Sequence, residues 1–168
     1  MPAATTPIHP GVRIGHTHLK VADLNRALRF WRDAIGMEVQ QRMGDEAVFL
    51  SAGGYHHHIA LNTWESRGGS PPPPGTTGLY HVALLYPDRP SLAVALRRVL
   101  DAGIELEGAS DHGVSEALYL RDPDGNGVEL YRDRDLADWP RDAAGGLAMF
   151  TRRLDLRALL AELPAQAG

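Results

Sequence analysis

The sequence predicts an α+β fold of two βαβββ modules that form a curved, roughly eight-stranded mixed sheet around a cleft. Three observations predict it. Two strand-like segments, residues 15–21 and 80–86, share the pattern His-x-x-Leu. Each precedes a stretch with apolar residues at helical spacing. Each helical stretch is then followed by a glycine, Gly36 or Gly103, and a short strand-like segment. Such an internal duplication indicates two copies of one structural unit.

The first module is predicted over residues 12–64. Its first strand covers about 14–21, and Asp23 is placed to cap the helix that follows. Gly36 stands where a helix commonly ends in a left-handed residue. Three further strands complete the module, at about 37–42, 47–51 and 55–63.

The second module, residues 79–134, is predicted to repeat this order. A strand over 79–86 precedes a helix over about 90–102. The next three strands are expected at 104–107, 117–121 and 127–131. The segment Asp122–Gly127, between the last two strands, is rich in residues that favour turns.

Two segments lie outside the duplication. Residues 65–78 join the modules, and Pro71 to Pro74 favour a stiff connector over a strand or helix. Residues 135–168 form a C-terminal extension in which 154–163 is expected to be an amphipathic helix. The whole chain, 1–168, is interpreted as a single domain, as its length allows.

Composition limits the possible functions. The chain has 168 residues, of which 43% are hydrophobic, and a formal net charge of −4, so we expect no nucleic-acid partner. It has no cysteine, which excludes disulfides and thiolate metal sites. Residues 1–10 do not resemble a secretion signal, and no apolar run is long enough to span a membrane. We therefore expect a cytoplasmic protein without a membrane partner.

Two histidines and a glutamate form a candidate metal site. His16 and His81 hold equivalent positions in the two modules, and Glu129 lies on the last strand of the second module. A pseudo-twofold relation between the modules would bring these side chains together. Two imidazoles and one carboxylate suit Fe(II), Mn(II), Ni(II) or Zn(II) and leave one face of the metal open. His18 shares a strand face with His16 and stays an alternative ligand.

These motifs resemble the vicinal-oxygen-chelate superfamily, which includes glyoxalase I, fosfomycin and bleomycin resistance proteins, and extradiol dioxygenases. The resemblance covers about residues 12–134. It rests on three segments, 15–24, 81–84 and 122–131. Within it, the stretch from His112 to Glu129 looks like the extradiol dioxygenase signature, and one departure from that signature is Ser110, two residues before His112.

The extradiol resemblance implies a non-haem Fe(II) enzyme of aromatic catabolism that inserts O2 into a catechol-like diol with ring opening. It implies that Glu129 is an iron ligand and that His112 and Tyr119 hydrogen-bond the substrate. The run from His56 to Leu61 is similar to a His-His-x-Leu-Ala segment of those enzymes, which implies that His57 is the acid/base. It also implies a homodimer.

Two other functions remain open. One is a glyoxalase-like isomerase or a thiol transferase on the same scaffold, which would prefer Ni, Zn or Mn and need no O2. The other is a metal-free small-molecule binding or resistance protein, although such proteins lack the three ligands. Glyoxalase I carries a fourth ligand, a glutamate, on the last strand of its first module. Ile59 stands at that position here, which favours the dioxygenase.

Overall fold

The computed structural model describes residues 7–165 and shows two mixed β-sheets with short helices packed on them. The strands are β1 Thr17–Lys20, β2 Glu38–Met43, β3 Ala47–Ser51, β4 Ile59–Asn62, β5 Val82–Leu85, β6 Gly108–Asp111, β7 Ser115–Arg121, β8 Gly127–Asp133 and β9 Arg152–Arg153. The helices are α1 Leu24–Leu28, continued by a π-helix over Arg29–Ala34, then α2 Arg89–Asp101, a 3₁₀ turn at Leu136–Asp138 and α3 Leu156–Leu160. Over the described range, no helix is long and apolar enough to cross a membrane. The sequence analysis expected no secretion signal in residues 1–10, and residues 1–6 of that stretch lie outside the described range.

The first module forms a four-stranded sheet with the strand order β1-β4-β3-β2. Strand β1 runs parallel to β4, with Thr17 opposite Ile59, and the other pairs are antiparallel. The side chain of Asp23 accepts from the backbone N–H of Arg26 and so caps α1, as predicted. Gly36 follows the helical segment with a φ of +95°, the left-handed conformation that glycine adopts at least cost.

The second module forms a five-stranded sheet with the order β5-β8-β7-β6-β9. Strand β5 runs parallel to β8, and β7 is antiparallel to β8. Their registers place both Ala83 and Tyr119 opposite Glu129. Asp88 caps α2 by accepting from Ser91 N–H, and Pro90 occupies the first turn, where its missing N–H costs nothing.

The two modules share one hydrophobic core, to which α1 and α2 both contribute buried side chains. Arg98 of α2 donates from Nε to the carbonyl of Ala34 at 3.0 Å. In the turn before β8, Asp124 accepts from the backbone N–H of Ala22 at 3.0 Å and pairs with Arg26. Helix packing and this turn therefore join the modules.

The sheets themselves do not merge. Strands β1 and β5 each lie at the edge of a sheet, and within residues 7–165 no strand of one sheet pairs with a strand of the other. A cleft of about 470 Å³ separates these edges, lined by residues of β1, the end of the helical segment and β5. The predicted α+β class and its two modules are confirmed, but in place of one roughly eight-stranded sheet, residues 7–165 form two sheets of four and five strands, because β1 and β5 do not pair.

Some elements differ from the sequence prediction. Strand β4 is shorter than the predicted 55–63, because residues 52–58 form turns and bends. Strand β6 begins at Gly108, after the predicted 104–107, because its backbone pairs with β7 on one side and with β9 on the other. The unpredicted β9 brings the C-terminal extension onto the edge of the second sheet. Helix α3 lies within the predicted 154–163 but is only five residues long.

Candidate active site

Glu129 and His81 meet at the start of β5 and β8. The parallel pairing of these strands puts His81, which directly precedes β5, beside the residues that begin β8. Its Nε2 lies 2.8 Å from Oε2 of Glu129. Gly127 makes this approach possible, since a Cβ at that position would lie 2.0 Å from the carbonyl oxygen of Tyr80. A side chain larger than hydrogen would push the two strands apart.

Tyr119 contacts the other oxygen of the same carboxylate. It lies directly across from Glu129 in the β7–β8 pair, and its hydroxyl donates to Oε1 at 3.2 Å. Burial, together with the adjacent Glu129 carboxylate, raises the pKa of Tyr119 to about 12. Tyr119 is therefore a neutral phenol near pH 7 and has a proton to donate.

His112 extends this chain of contacts by one residue. Its Nε2 lies 2.8 Å from the hydroxyl oxygen of Tyr119. Its other ring nitrogen, Nδ1, lies 3.1 Å from the carbonyl oxygen of Phe150 and 3.2 Å from Oγ1 of Thr151. The C-terminal extension therefore holds this part of the site. Sequence reasoning missed Phe150 and Thr151, and no motif marks them, because they act through one carbonyl and one exposed hydroxyl.

His16 and His57 form a second group. His16 directly precedes β1, and its ring centroid lies 4.3 Å from that of His57. His56 is also close, with its Nδ1 2.8 Å from Nδ1 of His57. In the predicted strand over 55–63, His56 and His57 would have pointed to opposite faces, but residues 52–58 form turns and bends and the two rings lie together. Partial burial and the neighbouring histidines, His16 first among them, lower the pKa of His57.

His18 is hydrogen-bonded to Asn62. Asn62 accepts from the backbone N–H of Trp64 with its Oδ1, so its Nδ2 is free to donate to Nε2 of His18, 2.9 Å away. Burial and the nearby His16 lower the pKa of His18. Asn62 thus occupies Nε2 of His18, and this contact favours His16 over His18 as the predicted ligand of the first strand.

The six predicted site residues therefore lie in two groups. His81, Glu129, Tyr119 and His112 form one continuous chain of contacts, whereas His16 and His57 lie together at the start of β1. His16 lines the cleft between the sheets, and so does strand β5, which follows His81. In the part of the chain that the structure describes, no three His, Asp or Glu side chains converge in a way that could hold a metal ion.

Two of the three predicted ligands nevertheless fit a divalent metal. Ligand atoms at about 2.0–2.2 Å from one ion, in adjacent positions, lie roughly 3 Å apart. The 2.8 Å between His81 Nε2 and Glu129 Oε2 is close to that spacing. The side chain of Glu129 is only 13% exposed, so its charge is poorly solvated and favours a cationic partner. His16 as the third ligand stays a prediction.

A turn of buried polar groups leads into β8. Oδ1 of Asp122 accepts from the backbone N–H groups of Asp124 and Asn126, and its Oδ2 accepts from the side-chain amide of Asn126. Burial raises the pKa of Asp122, while these hydrogen bonds oppose the shift. The Asp122–Gly127 segment thus acts as a rigid structural turn that places Glu129.

A sequence model of the Glyoxalase/Bleomycin resistance protein/Dioxygenase superfamily matches residues 13–130. The chain belongs to this superfamily. The match spans both modules and all six candidate site residues.

Two relatives of the chain are named as dioxygenases. The chain is 42% identical over 157 residues to a catechol-2,3-dioxygenase of Bacillus subtilis, a match that covers 94% of this chain and 54% of that protein. It is 35% identical over 123 residues to biphenyl-2,3-diol 1,2-dioxygenase 3 of Rhodococcus globerulus, covering 72% of this chain and 63% of that one. The matched regions thus span 54% and 63% of the length of these two relatives.

A solved structure shares the fold. A glyoxalase/dioxygenase from Nostoc punctiforme superposes with a TM-score of 0.64 at 18% identity, covering 79% of this chain and 100% of the other. At that identity, the likeness supports the architecture alone.

Proposed function

We propose that this protein is a metal-dependent extradiol-type dioxygenase that inserts O2 into a catechol-like aromatic diol and opens its ring. The observation that carries the proposal is the carboxylate of Glu129, which contacts His81 through one oxygen and Tyr119 through the other. A proposed metal ligand and a neutral phenol donor therefore meet at one position. The similarity to catechol- and biphenyl-diol dioxygenases supports the same chemistry.

His81, Glu129 and His16 would hold the metal. Fe(II) is the metal we propose, and Mn(II), Ni(II) and Zn(II) suit the same donors. When bound, the ion lowers the pKa of a chelated diol hydroxyl and provides an open face. His16 lies at the cleft that also borders β5, so it faces the module that carries the other two ligands.

His57 would accept and return the proton of the diol. Its lowered pKa keeps the ring neutral near pH 7, so one ring nitrogen is free to act as a base. If Nδ1–H of His57 donates to Nδ1 of His56, then Nε2 of His57 is that free nitrogen. Its ring lies beside His16, so a base would stand next to a proposed ligand.

Tyr119 and His112 would orient the diol. The raised pKa of Tyr119 keeps its proton in place as a hydrogen-bond donor. His112 holds the phenol through its Nε2 and is itself anchored to the C-terminal extension. Preorganised donors of this kind stabilise negative charge that develops on a reacting oxygen.

Oxygen uptake by reconstituted protein tests the proposal. The protein is loaded with Fe(II) under anaerobic conditions and exposed to O2 with a panel of substituted catechols. We expect equimolar consumption of O2 and diol, with a product heavier by the mass of O2. Glu129→Gln should abolish uptake, whereas His9→Gln, in the N-terminal tail, should not change it. Folded, iron-loaded wild-type protein that consumes no O2 with any diol would overturn the proposal.

A further inference from the structure

The hydrogen bonds around His112 cannot all form at once when its ring is neutral. Tyr119 has one hydroxyl proton, and two possible acceptors flank it, Oε1 of Glu129 and Nε2 of His112. A neutral imidazole carries its proton on one nitrogen only. The position of that proton therefore decides in which direction the whole chain of hydrogen bonds runs.

The two groups at Nδ1 of His112 differ in the tautomers they support, because the carbonyl of Phe150 can only accept, whereas the hydroxyl of Thr151 can accept or donate and so also supports an unprotonated Nδ1. The carbonyl oxygen of Phe150 can only accept, so it favours a proton on Nδ1. Nε2 is then unprotonated and accepts the hydrogen bond of the Tyr119 hydroxyl, which leaves Glu129 without its tyrosine donor. The hydroxyl of Thr151 can donate to a bare Nδ1. The ring proton then lies on Nε2 and points to the oxygen of Tyr119, whose own proton points to Glu129.

We propose that Thr151 is a positioning residue that selects the Nε2–H tautomer of His112. It thereby keeps the proton of Tyr119 on the side of Glu129, where the metal and the diol would bind, and not on the side of His112. Thr151 is an exposed residue of the C-terminal extension, and its hydroxyl acts on Tyr119 and Glu129 through His112. The tautomer assignment holds for the protein without metal. The consequence for catalysis rests on the proposed dioxygenase function.

The tautomer can be measured directly by NMR. Protein labelled with ¹⁵N-histidine is observed without metal at about pH 9, well above the ordinary imidazole pKa of about 6.5. The His112 signals are assigned from the spectrum of His112→Gln. Thr151→Val replaces the hydroxyl with a methyl group at nearly constant volume. Thr151→Ser keeps a hydroxyl and is the matched control. We expect Thr151→Val to lower the ratio of Nε2–H to Nδ1–H about 2- to 10-fold, as one neutral hydrogen bond allows. Thr151→Ser should stay close to wild type.

Two outcomes would overturn the inference. One is a tautomer ratio that is the same in wild type, Thr151→Val and Thr151→Ser. The other is a wild-type ring that carries its proton on Nδ1, because Phe150 would then control the chain. Far-UV circular dichroism and the urea midpoint check that each variant is folded, and the exposed position of residue 151 leads us to expect no loss of fold.

Kinetics separate this inference from the dioxygenase proposal. With iron-loaded protein and a catechol, Thr151→Val is expected to lower kcat about 2- to 10-fold and leave KM nearly unchanged, and Thr151→Ser should restore kcat. If no variant shows activity but the tautomer ratio shifts as expected, the proposed function fails and the role of Thr151 stands. If activity is present and the ratio does not move, only the role of Thr151 fails.

Discussion

Tyr119 and Glu129 face each other across the β7–β8 pair, and the tyrosine hydroxyl donates to the carboxylate at 3.2 Å. The contact follows from antiparallel register, since directly opposed residues bring their side chains to the same face of the sheet. His81 approaches the same carboxylate from the parallel strand on the other side. Glu129 is thus the centre of the candidate site, and its neighbours come from both flanking strands.

Removal of the Tyr119 hydroxyl should affect activity more than stability. Tyr119→Phe keeps the ring and loses one hydrogen bond, which we expect to lower the free energy of unfolding by about 1 kcal/mol. Loss of a preorganised donor should lower kcat about 10²-fold or more. Urea denaturation and steady-state oxygen uptake measure the two effects. A variant with wild-type kcat would show that the phenol has no part in the reaction.

Any side chain at position 127 should lower the stability of the protein. In Gly127→Ala the new methyl group would lie 2.0 Å from the carbonyl oxygen of Tyr80, so β5 and β8 must separate. We expect a loss of about 1–3 kcal/mol in the free energy of unfolding, and weaker metal binding because His81 moves. Gly108→Ala is the matched control, since a Cβ there would meet only Tyr119 at an ordinary 3.8 Å. Equal stability of the two variants would contradict the close approach of the strands.

Asp124 should stabilise the protein by linking the two modules. Its side chain is 9% exposed and accepts from Ala22 N–H while pairing with Arg26. Asp124→Ala leaves both donors without their acceptor, and we expect it to destabilise the protein by about 1–3 kcal/mol. Asp33→Ala removes a carboxylate from the exposed Arg32–Asp33 pair and should have no measurable effect on the urea midpoint. If the two midpoints shift equally, Asp124 does not join the modules.

Stability should fall as the pH is lowered, and His18 should contribute. The pKa of His18 is below its usual value of 6.5 in the folded protein, so the unfolded chain takes up this proton first. The contribution of His18 is therefore constant above about pH 7 and is lost as the pH falls through 6.5. Protonation would also place a hydrogen between Nε2 and the amide of Asn62. The urea midpoint measured from pH 8 to pH 5.5 should decline less in His18→Gln than in wild type.

A tail histidine provides the control for this pH dependence. His9→Gln alters a residue before β1, and its midpoint should decline with pH as the wild-type midpoint does. A His18→Gln curve parallel to the wild-type curve would show that His18 does not take part.

Much of the fold could be predicted from the sequence, because local signals mark the same elements in both copies. Asp23 caps α1, and Gly36 and Gly103 both follow helices with positive φ, at +95° and +68°. Strand β6 could not be placed correctly, since Gly108–Asp111 has no strand pattern and owes its conformation to the strands on either side. Strand β9 depends in the same way on a partner distant in the sequence.

The candidate site was predictable only within one module. The contact of Tyr119 with Glu129 follows from adjacent strands of the second module. The contact of His112 with Thr151 depends on the path of the C-terminal extension, which no motif encodes. The distance of His16 from the other ligands depends on how the edges of two sheets meet across a cleft, and local patterns contain no information on that.

The most direct measurement is an anomalous difference map at the iron edge, from crystals of the protein reconstituted with Fe(II). Our account predicts one peak bound by Nε2 of His81, a carboxylate oxygen of Glu129 and a ring nitrogen of His16, each at about 2.0–2.3 Å. A peak that does not touch both His81 and Glu129, or a map without a peak in folded, oxygen-consuming protein, would contradict it.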